Sequence, residues 1–137
     1  MHLFEFTFRG PPLSLQTKDR QKLQAYKRRV RRAALKEWRK RRNRAPAAHS
    51  VAIEIIYFYE GIAPDVDNIV KPIQDALIGI AYVDDQQVTD GVQRKRHIDR
   101  PLRVRYMPMA MARRFVIGED FVYVKVTRKR DLTRFEK

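Results

Sequence analysis

The sequence contains no cysteine. That excludes a disulfide scaffold, thiol catalysis and cysteine-ligated zinc or iron–sulfur centres. Acid is scarce: 16 Asp plus Glu stand against 30 Lys plus Arg, a formal net charge of +14 in 137 residues. No apolar run approaches the roughly 18 residues of a membrane span, so no membrane partner is expected. The opening MHLFEFTF alternates and lacks the basic start and apolar stretch of a secretion signal. With only five glycines there is no phosphate-cradling glycine loop, which argues against a nucleotide cofactor. Forty-four per cent of residues are hydrophobic, enough to bury a core despite the charge. The expectation is a soluble, cytoplasmic, strongly basic protein forming one domain over 1–137, with a polyanionic partner.

The charge is unevenly placed. Residues 1–44 carry +12, residues 45–93 carry −7 and residues 94–137 carry +9. An acidic island thus sits between two basic flanks. Beside a polyanion that island opposes binding, and a divalent cation is one reason for it. Ion pairing with the flanks is the other.

Periodicity predicts the elements. Residues 3–8 read as a strand, broken by Gly10-Pro11-Pro12. Lys18 to about Arg42 reads as a helix capped by Thr17 or Ser14, with Leu23, Tyr26, Val30, Ala33, Ala34 and Trp38 on one apolar stripe. Tyr26 and Trp38 therefore belong to the core rather than to stacked bases. Val51–Tyr59 is β-branched and aromatic, a central strand. A second helix over about Asn68 to Gly79 puts Ile69, Val70, Ile73, Ala76, Leu77 and Ile80 on one side. Pro72 makes this helix begin near Lys71 or kink there, and Gly79 suits a C-terminal cap. Tyr82 to Asp85 reads as a turn, 86–98 as a strand, 102–107 as a possible strand, 107–114 as a loop and 120–128 as a final strand. The order β-α-β-α-β-(β)-β predicts an α/β (α+β) fold, a small mixed sheet with two main helices.

The chemistry concentrates in Pro64-Asp65-Val66-Asp67-Asn68-Ile69-Val70-Lys71, then Asp75, then Asp84-Asp85. Asp65 and Asp67 are two apart, so in an extended segment both carboxylates face one way. With Asp84 or Asp85 they supply hard oxygen ligands of the kind Mg²⁺ takes. Lys71, one helical turn after Asp67, could orient a phosphate or stabilise a developing oxyanion. Each piece also has a structural reading. Asp65 or Asp67 could be a helix cap, Asp67–Lys71 an ordinary ion pair, and Asp84-Asp85 turn chemistry. His2, His49 and His97 lack ligand spacing. The basic helix packs 14 bases and two acids between Lys18 and Arg44, which favours a phosphate-bound role over a solvated face. Arg28, Arg29, Arg31, Arg32 and Arg39, with Arg94, Lys95 and Arg96, are the candidate phosphate contacts, which the resemblance below makes DNA contacts.

The run Asp65-Val66-Asp67-Asn68-Ile69-Val70-Lys71-Pro72-Ile73-Gln74-Asp75-Ala76-Leu77, followed by Asp84-Asp85-Gln86-Gln87-Val88, resembles the RusA family of Holliday junction resolvases. The family pattern is D-x-D-N-x-x-K-x-x-x-D-A-L and then D-D-x-Q-V, matched here over about residues 64–88. The resemblance implies a homodimeric, Mg²⁺-dependent endonuclease, with Mn²⁺ as a substitute ion, that nicks opposed strands of a four-way DNA junction in recombination and repair. Asp65, Asp67 and Asp85 match the metal-binding catalytic aspartates and Lys71 the catalytic lysine. Asp75 and Asp84 match recurring acids that would act behind the ligands. Pro72 and the longer segment 99–118 depart from the pattern. A bacterial or phage origin is also implied. Two alternatives stand beside this reading: a non-enzymatic basic nucleic-acid-binding protein, and a metal-dependent nuclease acting on other branched DNA.

Overall fold

The computed structural model describes residues 2–62, 67–98 and 107–129. Strands β1 (His2–Arg9), β2 (Val51–Tyr59), β3 (Val88–His97) and β4 (Phe121–Arg128) form one sheet in the order β1-β4-β2-β3. β2 and β3 are parallel, whereas β4 runs antiparallel to both β1 and β2. β2, with neighbours on both sides, is central as expected. The possible strand at 102–107 falls almost wholly outside the described residues.

Period-two alternation gives the sheet two apolar faces. Phe4, Phe6 and Phe8 of β1, Val51, Ile53, Ile55, Tyr57 and Tyr59 of β2, and Val122, Val124 and Val126 of β4 form the larger core. Helices α1 (Arg20–Trp38) and α2 (Val70–Ala76) cover that face. In α1 the buried residues are Leu23, Tyr26, Val30, Ala34 and Trp38, the apolar stripe of the sequence, and Trp38 sits edge-on to Phe4 with centroids 5.0 Å apart. The helix is capped by Asp19, whose carboxylate accepts from Lys22 N at 3.0 Å, and not by Thr17 or Ser14. Those two close a turn just upstream, Thr17 N donating to Ser14 O at 3.1 Å. It ends at Trp38 rather than Arg42, because the Trp38 indole turns the chain back by donating to Arg44 O at 2.9 Å.

The other face carries a smaller core of Phe58, Phe121, Tyr123 and Met111. Met111 lies in a third helix, α3 (Met109–Ile117), where a loop over 107–114 was expected. The reason is tertiary: Met111 and Phe115, one turn apart, pack on the sheet, with Phe115 4.9 Å from Phe58 and 5.3 Å from Phe121 between centroids. Pro108 precedes the helix, and Gly118 closes it in the left-handed conformation (φ 79°). Among the described residues the architecture is thus a four-stranded mixed sheet with three α-helices, α1 and α2 on one side and α3 on the other.

Candidate active site

Helix α2 and the turn before β3 carry most of the acidic motif. α2 is shorter than the 68–79 expected, and its first turn explains how Pro72 fits. Asn68 Oδ1 accepts from Val70 N at 3.1 Å and from Lys71 N at 3.2 Å. Ile69 N goes to Gln93 Oε1 at 3.1 Å, and Pro72 has no N–H to satisfy. Asn68 is therefore the side-chain cap, and the proline sits in the first turn without cost. Gly79 has the expected positive φ (82°), but three residues beyond the last helical residue.

This short helix aims Lys71 at two carboxylates. Its Nζ lies 3.0 Å from Asp75 Oδ1 and 2.5 Å from Asp85 Oδ2. Asp75 is shared: its other oxygen lies 3.3 Å from Lys27 Nζ of α1. Charges therefore alternate Lys27, Asp75, Lys71, Asp85 from the basic helix to the acidic turn. The ammonium of Lys71 holds the Asp85 carboxyl below the usual carboxylate range, with the neighbouring Asp84 adding to the effect. Reciprocally, hydrogen bonding to Asp85 and then Asp75 raises Lys71. Both groups are charged over the whole neutral range.

The turn is built by amides. Asp84 caps a 3₁₀ turn, Asp85–Gln87, by accepting from Gln86 N at 3.2 Å, so the strand expected from residue 86 begins at Val88. Gln87 Oε1 accepts from Val83 N (2.8 Å) and Asp84 N (2.9 Å), while its Nε2 donates to Ala47 O (2.7 Å) and His49 O (2.9 Å). One side chain thus ties the acidic turn to the segment entering β2. Gln74 Nε2 donates to Asp85 O at 3.2 Å, and the buried Tyr82 hydroxyl donates to Gln74 O at 2.5 Å. Burial is the main reason the Tyr82 phenol is pushed well above its ordinary pKa.

The expected residues are partly brought together. Lys71, Asp75 and Asp85 form one cluster, and Asp84 shapes its turn without pairing to Lys71. Asp67 is exposed and precedes α2, so the helical pairing of Lys71 is with Asp75 and not with Asp67. Asp65 lies outside the described residues, and among the described residues no three His, Cys, Asp or Glu side chains converge to hold an ion. The donors present are carboxylate oxygens, and Asp85 stays ionised and partly exposed, a chemistry that suits a hard divalent cation. Gln87, Gln93, Asn68 and Lys27 were not singled out from the sequence. Only the D-D-x-Q-V spacing marked Gln87.

Of the basic candidates, Arg28, Arg29 and Arg32 are exposed on α1 and Arg39 is exposed at its C-cap, with Arg29 5.7 Å from the Tyr26 ring centre. Arg31 is different: its guanidinium donates to Ala76 O at 3.1 Å and Ile78 O at 2.7 Å, closing the C-terminal end of α2. Arg94 pairs with Glu54, and Arg96 donates to Lys95 O at 2.8 Å.

The basic helix is thus braced, through Lys27 and Asp75, against a lysine held between two carboxylates. The family model for endodeoxyribonuclease RusA matches residues 7–105. The chain therefore belongs to the RusA endodeoxyribonuclease family, and its class is that of a DNA-cutting hydrolase. The match runs from the end of β1 through α1, β2, α2, the acidic turn and β3, well beyond the motif. No curated protein matches the chain. Among the described residues no helix is long and apolar enough to cross a membrane.

Proposed function

We propose that this chain, folded as one domain, is a divalent-metal-dependent, structure-selective endonuclease that resolves four-way DNA junctions by paired nicks in recombination and repair. The observation that carries the reading is the cluster of Lys71 with Asp75 and Asp85, set on the family's motif and joined to the basic helix through Lys27. Asp65, Asp67 and Asp85 would hold the ion, Mg²⁺ or Mn²⁺, which when bound lowers the pKa of water and polarises the phosphodiester. Lys71, a fixed cation at hydrogen-bonding distance from Asp85, sits where it can neutralise a non-bridging phosphate oxygen as negative charge develops. Asp75 gives that ammonium a second anchor, so Lys71 keeps its direction when Asp85 is shared with an ion. Arg28, Arg29, Arg32 and Arg39 offer exposed positive charge to the phosphates of the arms without reading bases. Two opposed nicks need two such sites, which a symmetric homodimer supplies.

The test uses a labelled four-way junction with the wild type and Asp67→Asn, with and without Mg²⁺. Cleavage by the wild type alone, with junction binding retained by the variant, is the expected result. Equal Mg²⁺-dependent cleavage by both would remove Asp67 from the site, and no cleavage by either would sink the catalytic reading. Flap, duplex and single-stranded substrates run beside the junction separate a resolvase from a nuclease for other branched DNA.

A further inference from the structure

The Asp67 carboxylate is exposed, and among the described residues it has no ion-pair partner. Among the described residues its place is set through its backbone. That backbone is held at three consecutive residues. Gln93 Nε2 donates to Asp67 O at 3.0 Å, Gln93 Oε1 accepts from Ile69 N at 3.1 Å, and Asn68 O accepts from Leu15 N at 2.9 Å. The two groups bound by Gln93 belong to residues two apart. A residue of a neighbouring parallel strand would offer its carbonyl and N–H in the same pattern. The Gln93 amide therefore stands in for a strand and fixes the backbone from Asp67 to Ile69 as the chain enters α2.

The neighbours of Gln93 on β3 point to the same role. Gln93 lies opposite Ile55 in the β2–β3 ladder, so it faces the helices. Two residues earlier on that face is Gly91, where an added Cβ would lie 3.3 Å from Val70 Cγ1. β3 thus leaves room for the first residue of α2 and ties down the residues before it. An exposed glutamine fixed at both ends of its amide gives up rotamer freedom that a solvated one keeps. The amide is also neutral, so it positions a carboxylate without pairing with it or repelling an ion beside it.

We infer that Gln93 is a positioning residue for Asp67, setting the metal affinity of the site by bridging Asp67 O and Ile69 N. This rests on the reading of Asp67 as a metal ligand. The test compares wild type, Gln93→Leu, Gln93→Met and Asp67→Asn in three measurements. Amide exchange at Ile69 should quicken about tenfold in both Gln93 variants. Mn²⁺ binding to the protein alone, followed by electron paramagnetic resonance, should weaken about tenfold, as when a partner behind a ligand is removed. Junction cleavage should lose kcat by a similar factor with KM unchanged, and excess Mn²⁺ should restore part of it. Met matches Gln in length without its amide, so agreement of the two variants assigns the effect to the hydrogen bonds. Wild-type Mn²⁺ affinity in both Gln93 variants, with affinity abolished in Asp67→Asn, overturns the inference and leaves the site reading standing. Unchanged affinity in Asp67→Asn overturns both. A change confined to KM, or global unfolding of both Gln93 variants, would make Gln93 an ordinary structural residue and also refute the inference.

Discussion

Replacing Gln87 by leucine removes four hydrogen bonds and adds no charge. The carboxamide oxygen serves Val83 N and Asp84 N, and its nitrogen serves Ala47 O and His49 O, all between 2.7 and 2.9 Å. A net contribution of about 0.5–1.5 kcal/mol per bond puts the sum at about 2–6 kcal/mol. Val83 and Asp84 are exposed, so water can recover part of what their N–H groups lose, and the lower half of that range applies. A loss of about 3 kcal/mol corresponds to roughly 10 °C in Tm for a domain of this size. Urea unfolding should show the midpoint falling with the slope unchanged, because the surface exposed on unfolding is the same. Activity should fall further than stability explains. At a temperature where Gln87→Leu is fully folded, cleavage should still be depressed, since Asp85 rides on the turn that Gln87 anchors. An unfolding free energy within about 0.5 kcal/mol of wild type would refute the reasoning, because surface substitutions away from such networks fall in that band.

Other outcomes follow from the same geometry. The Lys71–Asp85 pair has a folded carboxyl pKa below, and a folded ammonium pKa above, the ordinary values. Its contribution is therefore complete from about pH 5 to 9, is lost as pH falls below about 4, and is lost again as pH rises past the lysine range. The stability gap between wild type and Asp85→Asn, measured by denaturation against pH, should be flat across neutrality and close in acid. Gly91→Ala should cost about 1 kcal/mol by crowding Val70, and Val70→Ala should relieve it, so the double variant is no less stable than Val70→Ala alone. Arg31→Met should lower stability by about 1–3 kcal/mol, since it removes the two hydrogen bonds to Ala76 O and Ile78 O. Arg28→Ala should leave stability unchanged and weaken junction binding, with the log–log salt slope falling by about 0.9 for each phosphate that Arg28 neutralises.

The larger part of the fold is legible where one periodicity dominates. Val51–Tyr59 appears with its expected bounds, and the stripe from Leu23 to Trp38 is the buried face of α1. α3 was missed because its local pattern is short and rich in methionine, and the force that forms it is the packing of Met111 and Phe115 on the far side of the sheet. In the candidate site the charged residues stood out by spacing. What spacing could not show was the partner of each. The second helix starts at Val70, close to the start near Lys71 that Pro72 suggested, and Lys71 reaches Asp75 and Asp85 rather than Asp67. Gln93, and the bonding partners of Gln87, were illegible for another reason. A neutral amide bonding to backbone far away in sequence leaves no period and no charge pattern behind.

The strand order β1-β4-β2-β3 also has a consequence for how the protein is made. Residues 51–97 hold β2, α2, the acidic turn and β3, and their parallel pairing needs nothing that comes later. Among the described residues β1 pairs only with β4, which is made after the other three strands of the sheet. Until residues 121–128 emerge, β1 has no ladder to join, and α1 has only half of the sheet face it packs on. Because domains assemble as their chain is synthesised, β2 and β3 can pair before β4 brings in β1. A chain stopped short of β4 would carry the acidic turn on an unfinished sheet, so for this DNA-cutting enzyme β4 doubles as the strand that closes it.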